Sequence, residues 1–185
     1  MGTGQDTSEV IDQLIEWVNN FVSEPSDDHL NHTPCPFALT ALKMGNVVIH
    51  HTDSLESIYY IKMGDPEPGV HHLVLVPTND MTAEDFAEFI HEQNEATFGW
   101  WVSAMHPDVR PNKGVWKAYP WDDIGLFLVQ CLDELCEASA SLATSGYYES
   151  VTDDYLDHIA LREAKRNAWN EIESRCPFAH EEGEA

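Results

Sequence analysis

The segment His71-His72-Leu73-Val74-Leu75-Val76-Pro77 contains four consecutive apolar residues. Uninterrupted apolar runs of this length are typical of strands that are buried on both faces of a sheet. The preceding stretch, Asp65-Pro66-Glu67-Pro68-Gly69, is rich in residues that form turns. The sequence therefore predicts a turn that leads into a central strand over His71–Pro77.

Further strands are predicted on both sides of this central strand. Asn46–His51 and Ser57–Lys62 are rich in Val, Ile and Tyr, which favour strands. Phe98–Ala104 carries bulky apolar residues after a predicted helix and also indicates a strand. These segments together predict a small sheet of about four strands.

Two long helices are predicted before residue 96. Apolar residues recur at three- and four-residue spacing over 8–22, with Thr7 or Ser8 as the cap. A second helix over 82–95 begins with a capping-box pattern formed by Thr82 and Asp85. Its outer side carries a stripe of four glutamates, which are Glu84, Glu88, Glu92 and Glu95.

Two more helices are predicted in the C-terminal third. One starts at Asp122 or Asp123, and its helically spaced core residues are Ile124, Phe127, Leu128, Cys131 and Leu135. The other covers 153–174 after a Thr152 cap, with Leu156, Ile159, Trp169 and Ile172 turned inward. On this helical reading, Cys131 and Cys136 are both packing residues.

The order of these elements predicts an α+β fold in which helices cover a small mixed sheet, largely on one face. Two helices lie at the C-terminal end. A length of 185 residues fits one domain, 1–185, and we expect frayed termini at 1–7 and 177–185.

Charge is the most extreme property of the composition. Thirty-three acidic residues against nine Lys and Arg give a formal net charge of −24. Such a surface repels phosphate backbones and anionic lipids, so direct binding of nucleic acid or membrane is not expected. Three interpretations stay open: a solvated surface, a docking face for a basic protein, and a mimic of nucleic acid.

The segment Met1–Asp6 lacks the basic and apolar regions of a secretory signal, and no apolar run reaches the ~20 residues of a membrane helix. We therefore expect a soluble, cytoplasmic protein with reduced cysteines. The sequence contains no glycine-rich phosphate loop, no GxSxG motif and no Rossmann fingerprint. Composition leaves the oligomeric state open.

Cys35 is the first candidate for chemistry. Pro36 suits the first position of a short helix that ends at Gly45, which predicts Cys35 at the N-cap. Unpaired N–H groups at that position lower the pKa of a thiol and make it reactive. The alternative is a small, partly buried loop residue.

The tetrapeptide Cys35-Pro36-Phe37-Ala38 recurs as Cys176-Pro177-Phe178-Ala179. If the C-terminal segment folds back, Cys176 and Cys35 would form a redox pair or supply two thiolates to a metal. The alternative is a coincidental repeat.

Ten histidines form the second candidate group. His50-His51 and His71-His72 lie in predicted strands, where neighbours point to opposite faces, so one histidine of each pair can share a face. His106 follows another strand. Cys35, His106 and a strand histidine would suit zinc or another transition-metal ion. The alternative is that these histidines lie on the surface or make ordinary hydrogen bonds.

Four tryptophans accompany the His106 segment in the sequence. They predict either the floor of a pocket around His106 or ordinary packing in the core. The four are Trp100, Trp101, Trp116 and Trp121.

The motifs Cys35-Pro36-Phe37-Ala38 and Ser103-Ala104-Met105-His106-Pro107, in that order, resemble a bacterial domain family of unknown function. That family carries L-C-P-F-A after its first helix and A-S-F-H-P after a later strand. Thr33-Pro34 replaces the family's N-L here, and Ser23–His32 is extra. The resemblance covers roughly residues 10–130 by eye. It implies that Cys35 and His106 act together, and it implies no known activity.

Two functional hypotheses follow. The first is a thiol and imidazole site in which Cys35 is a thiolate nucleophile or metal ligand and His106 is the base or second ligand, used for metal binding or thiol redox chemistry. His50, His72 and Cys176 complete the candidate ligand set. The second is a non-enzymatic module that binds a basic partner through the glutamate stripe of helix 82–95.

Overall fold

The computed structural model describes residues 6–25, 33–78, 81–96, 99–109, 119–150 and 153–175. Four strands in these ranges form one mixed sheet in the order β1-β2-β4-β3. β1 runs parallel to β2, and β4 is antiparallel to both β2 and β3. The strands are β1 (Val47–His51), β2 (His71–Pro77), β3 (Trp100–Met105) and β4 (Ile124–Cys131). The predicted α+β fold class is confirmed.

The predicted central strand β2 lies between β1 and β4. Its side chains alternate between two hydrophobic clusters, because successive residues of a strand point to opposite faces. Leu75 belongs to the cluster beneath the first helix, and Val74 and Val76 belong to the cluster beneath a later helix. We call these sides the α1 face and the α4 face.

The α1 face is covered by the N-terminal helices. Helix α1 (Thr7–Trp17) continues into a π-helical turn, Val18–Val22, and α2 (Ala38–Met44) ends at Gly45 with φ of 74°. The Asp6 side chain accepts a hydrogen bond from the Ser8 N–H at 3.1 Å and caps α1. The fully or nearly buried residues of this face are Val10, Leu14, Trp17, Val18, Val22, Leu75, Tyr119, Trp121, Ile124 and Leu126.

The α4 face is covered by α3 (Glu56–Lys62) and α4 (Ala83–Ala96). The predicted capping box is confirmed: the Thr82 N–H donates to Asp85 at 3.1 Å, and the Asp85 N–H donates to the Thr82 hydroxyl at 3.2 Å. Gly125 allows α4 to come close to β4, since a Cβ there would lie 2.8 Å from the Phe86 ring. The buried residues are Ile58, Val74, Val76, Phe86, Trp100, Val102, Phe127 and Val129.

The side chain of Asn94, near the end of α4, binds the edge of the sheet. Its Nδ2 donates to the Val102 carbonyl and its Oδ1 accepts from the Val102 N–H, both at 2.8 Å. A single carboxamide thus satisfies both backbone groups of one β3 residue on the side away from β4.

Helices α5 (Leu132–Ala143) and α6 (Asp153–Arg175) pack against each other at the C-terminal end, with a 3₁₀ turn, Tyr147–Ser150, between them. The Tyr147 hydroxyl donates to the Pro34 carbonyl and ties this turn to the segment before α2. The prediction of two C-terminal helices is confirmed. No helix in the described part of the chain is both long and apolar enough to cross a membrane.

Two predicted elements have the wrong type. The segment Ser57–Lys62 is not a strand but most of helix α3, in which Ile58 and Lys62, four residues apart, are buried on one side. Residues 124–131 form strand β4 rather than a helix, because Leu126-Phe127-Leu128-Val129 is a buried apolar run of the same kind as in β2. The helices also cover both faces of the sheet instead of largely one.

Smaller differences concern the cysteines and the ends of helices. Cys131 ends β4 and precedes α5, so it does not share a helix with Cys136, and Cys136 is the buried one of the two. Leu156 and Ile172, predicted to face inward, are 40% and 51% exposed. The frayed N-terminal segment was predicted to extend to residue 7, but Thr7 is the first residue of helix α1. Residues 1–5 and 177–185 lie outside the described residues.

Candidate functional site

His50 of β1 and His72 of β2 form a pair on the α4 face. The strands run in parallel with Val48 opposite His72 and His50 opposite Val74, which places the two histidines on one face. His50 Nε2 lies 3.1 Å from His72 Nδ1, and the rings stack with an interplanar angle of 23°. The predicted sharing of a face by one histidine from each pair is confirmed.

Both rings of the pair are partly buried, and this sets their charge. Burial lowers the pKa of His50. Burial and then the neighbouring His50 and His71 lower the pKa of His72, while Glu67 acts in the opposite direction. The neutral forms therefore dominate at pH 7, in which one imidazole N–H donates to the lone pair of the other ring.

The Trp100 ring borders the pair, with its centroid 5.9 Å from that of His72 at an interplanar angle of 70°. The indole N–H of Trp100 donates to the Gly64 carbonyl at 2.9 Å, which fixes the ring. The pair thus has an apolar wall, and the exposed Val48 lies on the same face of β1.

Cys35 lies on the other face, packed against the cluster beneath α1. Helix α2 begins at Ala38 with Phe37 at the N-cap, so the prediction of Cys35 at the N-cap is wrong by two residues. Backbone N–H groups of Phe37 and Ala38 lower the pKa of the thiol, but burial outweighs them and raises it overall. The expected activation of this thiol is therefore not found, because desolvation of the thiolate dominates.

His106 is buried and both of its ring nitrogens are engaged. Its Nδ1 accepts from the Asp108 N–H at 3.1 Å, which leaves the proton on Nε2 to donate to the Met81 carbonyl at 3.2 Å. Its ring lies against Phe86, with centroids 5.1 Å apart. These contacts describe a histidine that fastens the end of β3 to the start of α4.

The structure therefore brings together His50 and His72 of the predicted ligand set and places Cys35 and His106 apart from each other. Cys35 packs against the α1 face, and His106 contacts Phe86 of the α4 face, so the sheet separates them. Cys176 lies outside the described residues. Within those residues, no three side chains of His, Cys, Asp or Glu gather in a group that could hold a metal ion.

The tryptophans do not gather around His106. Trp100, Trp101 and Trp121 belong to three different hydrophobic clusters, which supports the packing alternative, and Trp116 lies outside the described residues. The pocket floor predicted from them is not found in the described part of the chain.

A buried lysine on the α4 face was not anticipated from the sequence. Lys62 is 7% exposed and donates to the backbone and side-chain oxygens of Gln93 at 2.6 and 2.8 Å. Burial, with the nearby Lys165, lowers its pKa to about 8. The only signal in the sequence was the spacing of Ile58 and Lys62, which places both on one side of a helix.

No family model, no curated protein and no solved structure matches the chain. The resemblance to the bacterial domain family stays a prediction. The function must therefore be argued from the arrangement of the residues themselves.

Proposed function

We propose that this protein binds a divalent transition-metal ion through His50 and His72. The observation that carries the proposal is the distance of 3.1 Å between His50 Nε2 and His72 Nδ1 on adjacent strands. Strand positions hold ligands more rigidly than loop positions do. Both histidines belong to the ligand set inferred from the sequence. The proposed site is centred on them and no longer on Cys35 and His106.

The separation fits two ligands of one ion. With Zn–N bonds of about 2.0–2.1 Å, nitrogens at this distance subtend an angle of about 100°, between square-planar and tetrahedral values. A small rotation of the two rings would turn both lone pairs from each other towards a shared ion. The remaining coordination positions would go to water or to an outside ligand.

The electrostatics of the pair also favour a metal. An imidazole binds a metal only in its neutral form, and the pKa of each ring is lowered. The net charge of −24 attracts divalent cations to the surface. Because affinity at nitrogen sites rises from Ni²⁺ to Cu²⁺ and is lower again for Zn²⁺, Cu²⁺ should bind most tightly.

Isothermal titration of the metal-free protein with Cu²⁺, Ni²⁺ and Zn²⁺ tests this proposal. The matched pair of variants is His50→Ala and His51→Ala, since His51 is the next residue of β1 and its ring contacts the Thr7 hydroxyl on the other side of the sheet. We expect His50→Ala to weaken binding by about tenfold or more and His51→Ala to have little effect. Equal losses in the two variants, or no binding by the wild type, would overturn the proposal.

An interaction module is the second candidate, favoured by the exposure of Glu84, Glu88 and Glu92 along α4. Helix α1 on the opposite face offers a control, because its Glu9, Asp12 and Glu16 are also exposed. Binding of an oligolysine peptide should weaken with salt and fall more after three Glu→Lys changes in α4 than after matched changes in α1. Equal effects of the two triple variants would mean general charge attraction and no docking face.

A further inference from the structure

Helix α6 carries an unusual share of the positive charge. Four of the nine Lys and Arg residues of the chain lie in it, at positions 162, 165, 166 and 175. Arg162 and Arg166 are four residues apart and therefore lie on one side of the helix. That side packs against α5, which places two cations in the interface between the C-terminal helices.

Arg162 is buried in this interface with 6% exposure. Its Nη2 donates to the Ser139 hydroxyl at 3.1 Å, and that hydroxyl donates onward to the Leu135 carbonyl at 2.8 Å. The Nε atoms of Arg162 and Arg166 are both shielded from solvent and have no hydrogen-bond partner in the described residues. Each of these arginines, one helical turn apart on α6, therefore has one shielded N–H donor without an acceptor in the described residues.

Neither guanidinium has a carboxylate within 4.0 Å among the described residues, although the chain holds 33 acidic residues. Asp133 and Glu163 are close enough to act electrostatically on Cys136, and so are both arginines, yet no ion pair forms. A buried charge without a counterion is unfavourable, so an arrangement of this kind favours an anion from outside.

We propose that Arg162 and Arg166 form a binding site for a phosphate group between α5 and α6, with Ser139 holding the Arg162 side chain in place. Guanidinium groups bind oxyanions through paired N–H donors, and the four oxygens of phosphate accept from two guanidiniums at once. The contact with Ser139 occupies only Nη2 of Arg162 and leaves the other terminal nitrogen for the ligand. The site lies apart from His50 and His72 and is independent of the metal proposal.

Titration calorimetry with inorganic phosphate tests the site, and sulfate and acetate serve as comparison anions. Arg166→Gln is the main variant, because Arg166 is only half-buried and its loss should leave the fold intact. Lys43→Gln is the matched control, since it removes one exposed positive charge from α2. Arg162→Gln serves as a second variant, with circular dichroism to confirm that it folds.

We expect one phosphate per chain, about tenfold weaker binding in Arg166→Gln and unchanged binding in Lys43→Gln. Phosphate should also raise the Tm of the wild type, and Arg166→Gln should lose most of this rise. Tighter binding of acetate than phosphate would reassign the site to a carboxylate and overturn the phosphate proposal. Absence of binding by the wild type at millimolar phosphate, or an equal loss in Lys43→Gln, would overturn the site itself.

Discussion

The two faces of the sheet are packed by different means. On the α1 face, Trp17, Tyr119 and Trp121 meet edge to face, with centroids 5.4 and 5.2 Å apart. Two of these side chains also make hydrogen bonds: the Tyr119 hydroxyl donates to the Ile124 carbonyl at 2.8 Å, and the Trp121 N–H donates to Gln13 at 2.7 Å. This face combines aromatic packing with directional hydrogen bonds.

On the α4 face, the centre is purely apolar. Phe127 contacts Phe86 and Phe89 with centroids 4.5 and 5.7 Å apart. The polar groups of this face lie at its margins, where His50 pairs with His72 and Lys62 binds Gln93. The comparison teaches that hydrogen bonds run through the aromatic packing of the α1 face, whereas on the α4 face the polar pairs lie beside an apolar centre.

The largest effect is expected from the neighbouring residues Phe127 and Leu126 of β4, which point to the α4 and α1 faces. Phe127→Ala should lower the free energy of unfolding by about 4 kcal/mol and Leu126→Ala by about 2–3 kcal/mol, because the larger ring leaves the larger cavity. Urea denaturation of both variants measures the difference. A greater loss for Leu126→Ala would show that the α1 face carries more of the stability.

The buried lysine should make the α4 face sensitive to alkaline pH. The pKa of Lys62 falls from its ordinary value of 10.5 to about 8 on folding. Between these values the unfolded chain binds more protons than the folded one, so stability rises with pH in this window. The gain for Lys62 is at most about 3 kcal/mol.

Lys62→Met supplies the reference for that measurement, since it keeps the apolar stem and removes the titrating group. Lys165 and Glu95, which lie nearby, are retained in both proteins. The free energy of unfolding of the wild type, relative to Lys62→Met, should increase from pH 8 to 10.5. A difference that stays constant over this range would contradict the lowered pKa.

The smallest effect is expected from one hydrogen bond of the α1 face. The Tyr119 hydroxyl donates to the carbonyl of Ile124, the first residue of β4, at 2.8 Å. Tyr119→Phe should lower the free energy of unfolding by about 1 kcal/mol, as the buried carbonyl loses this donor. Tyr60→Phe, at a side chain that is 70% exposed, is the control and should change little.

The sequence predicted those parts of the fold in which local pattern and tertiary environment agree. β2 was identifiable from its apolar run, and α4 from the Thr82 and Asp85 capping box. The error at 124–131 arose because Ile124, Phe127, Leu128 and Cys131 satisfy helical spacing while the same segment is also a continuous apolar run. Periodicity does not separate a buried strand from a buried helix.

From the sequence, the position of a candidate site residue could be predicted only where the alternation of side chains along a strand determines its face of the sheet. That rule brought His50 and His72 together correctly, because both lie in strands that were identified. Cys35 and His106 could not be placed in the same way, since their positions depend on which face each helix covers. The pKa of Cys35 depended on burial, which no local motif around Pro36 reveals.

The carboxamide of Asn94 has a consequence for how copies of this protein meet. A strand from another chain could add to the β3 side only by pairing with backbone groups such as those of Val102, which Asn94 already binds. Exposed strand edges are the usual starting points of aggregation and domain swapping. At this position an uncharged side chain protects the sheet, and Asn94→Ala should therefore promote self-association during concentration or heating.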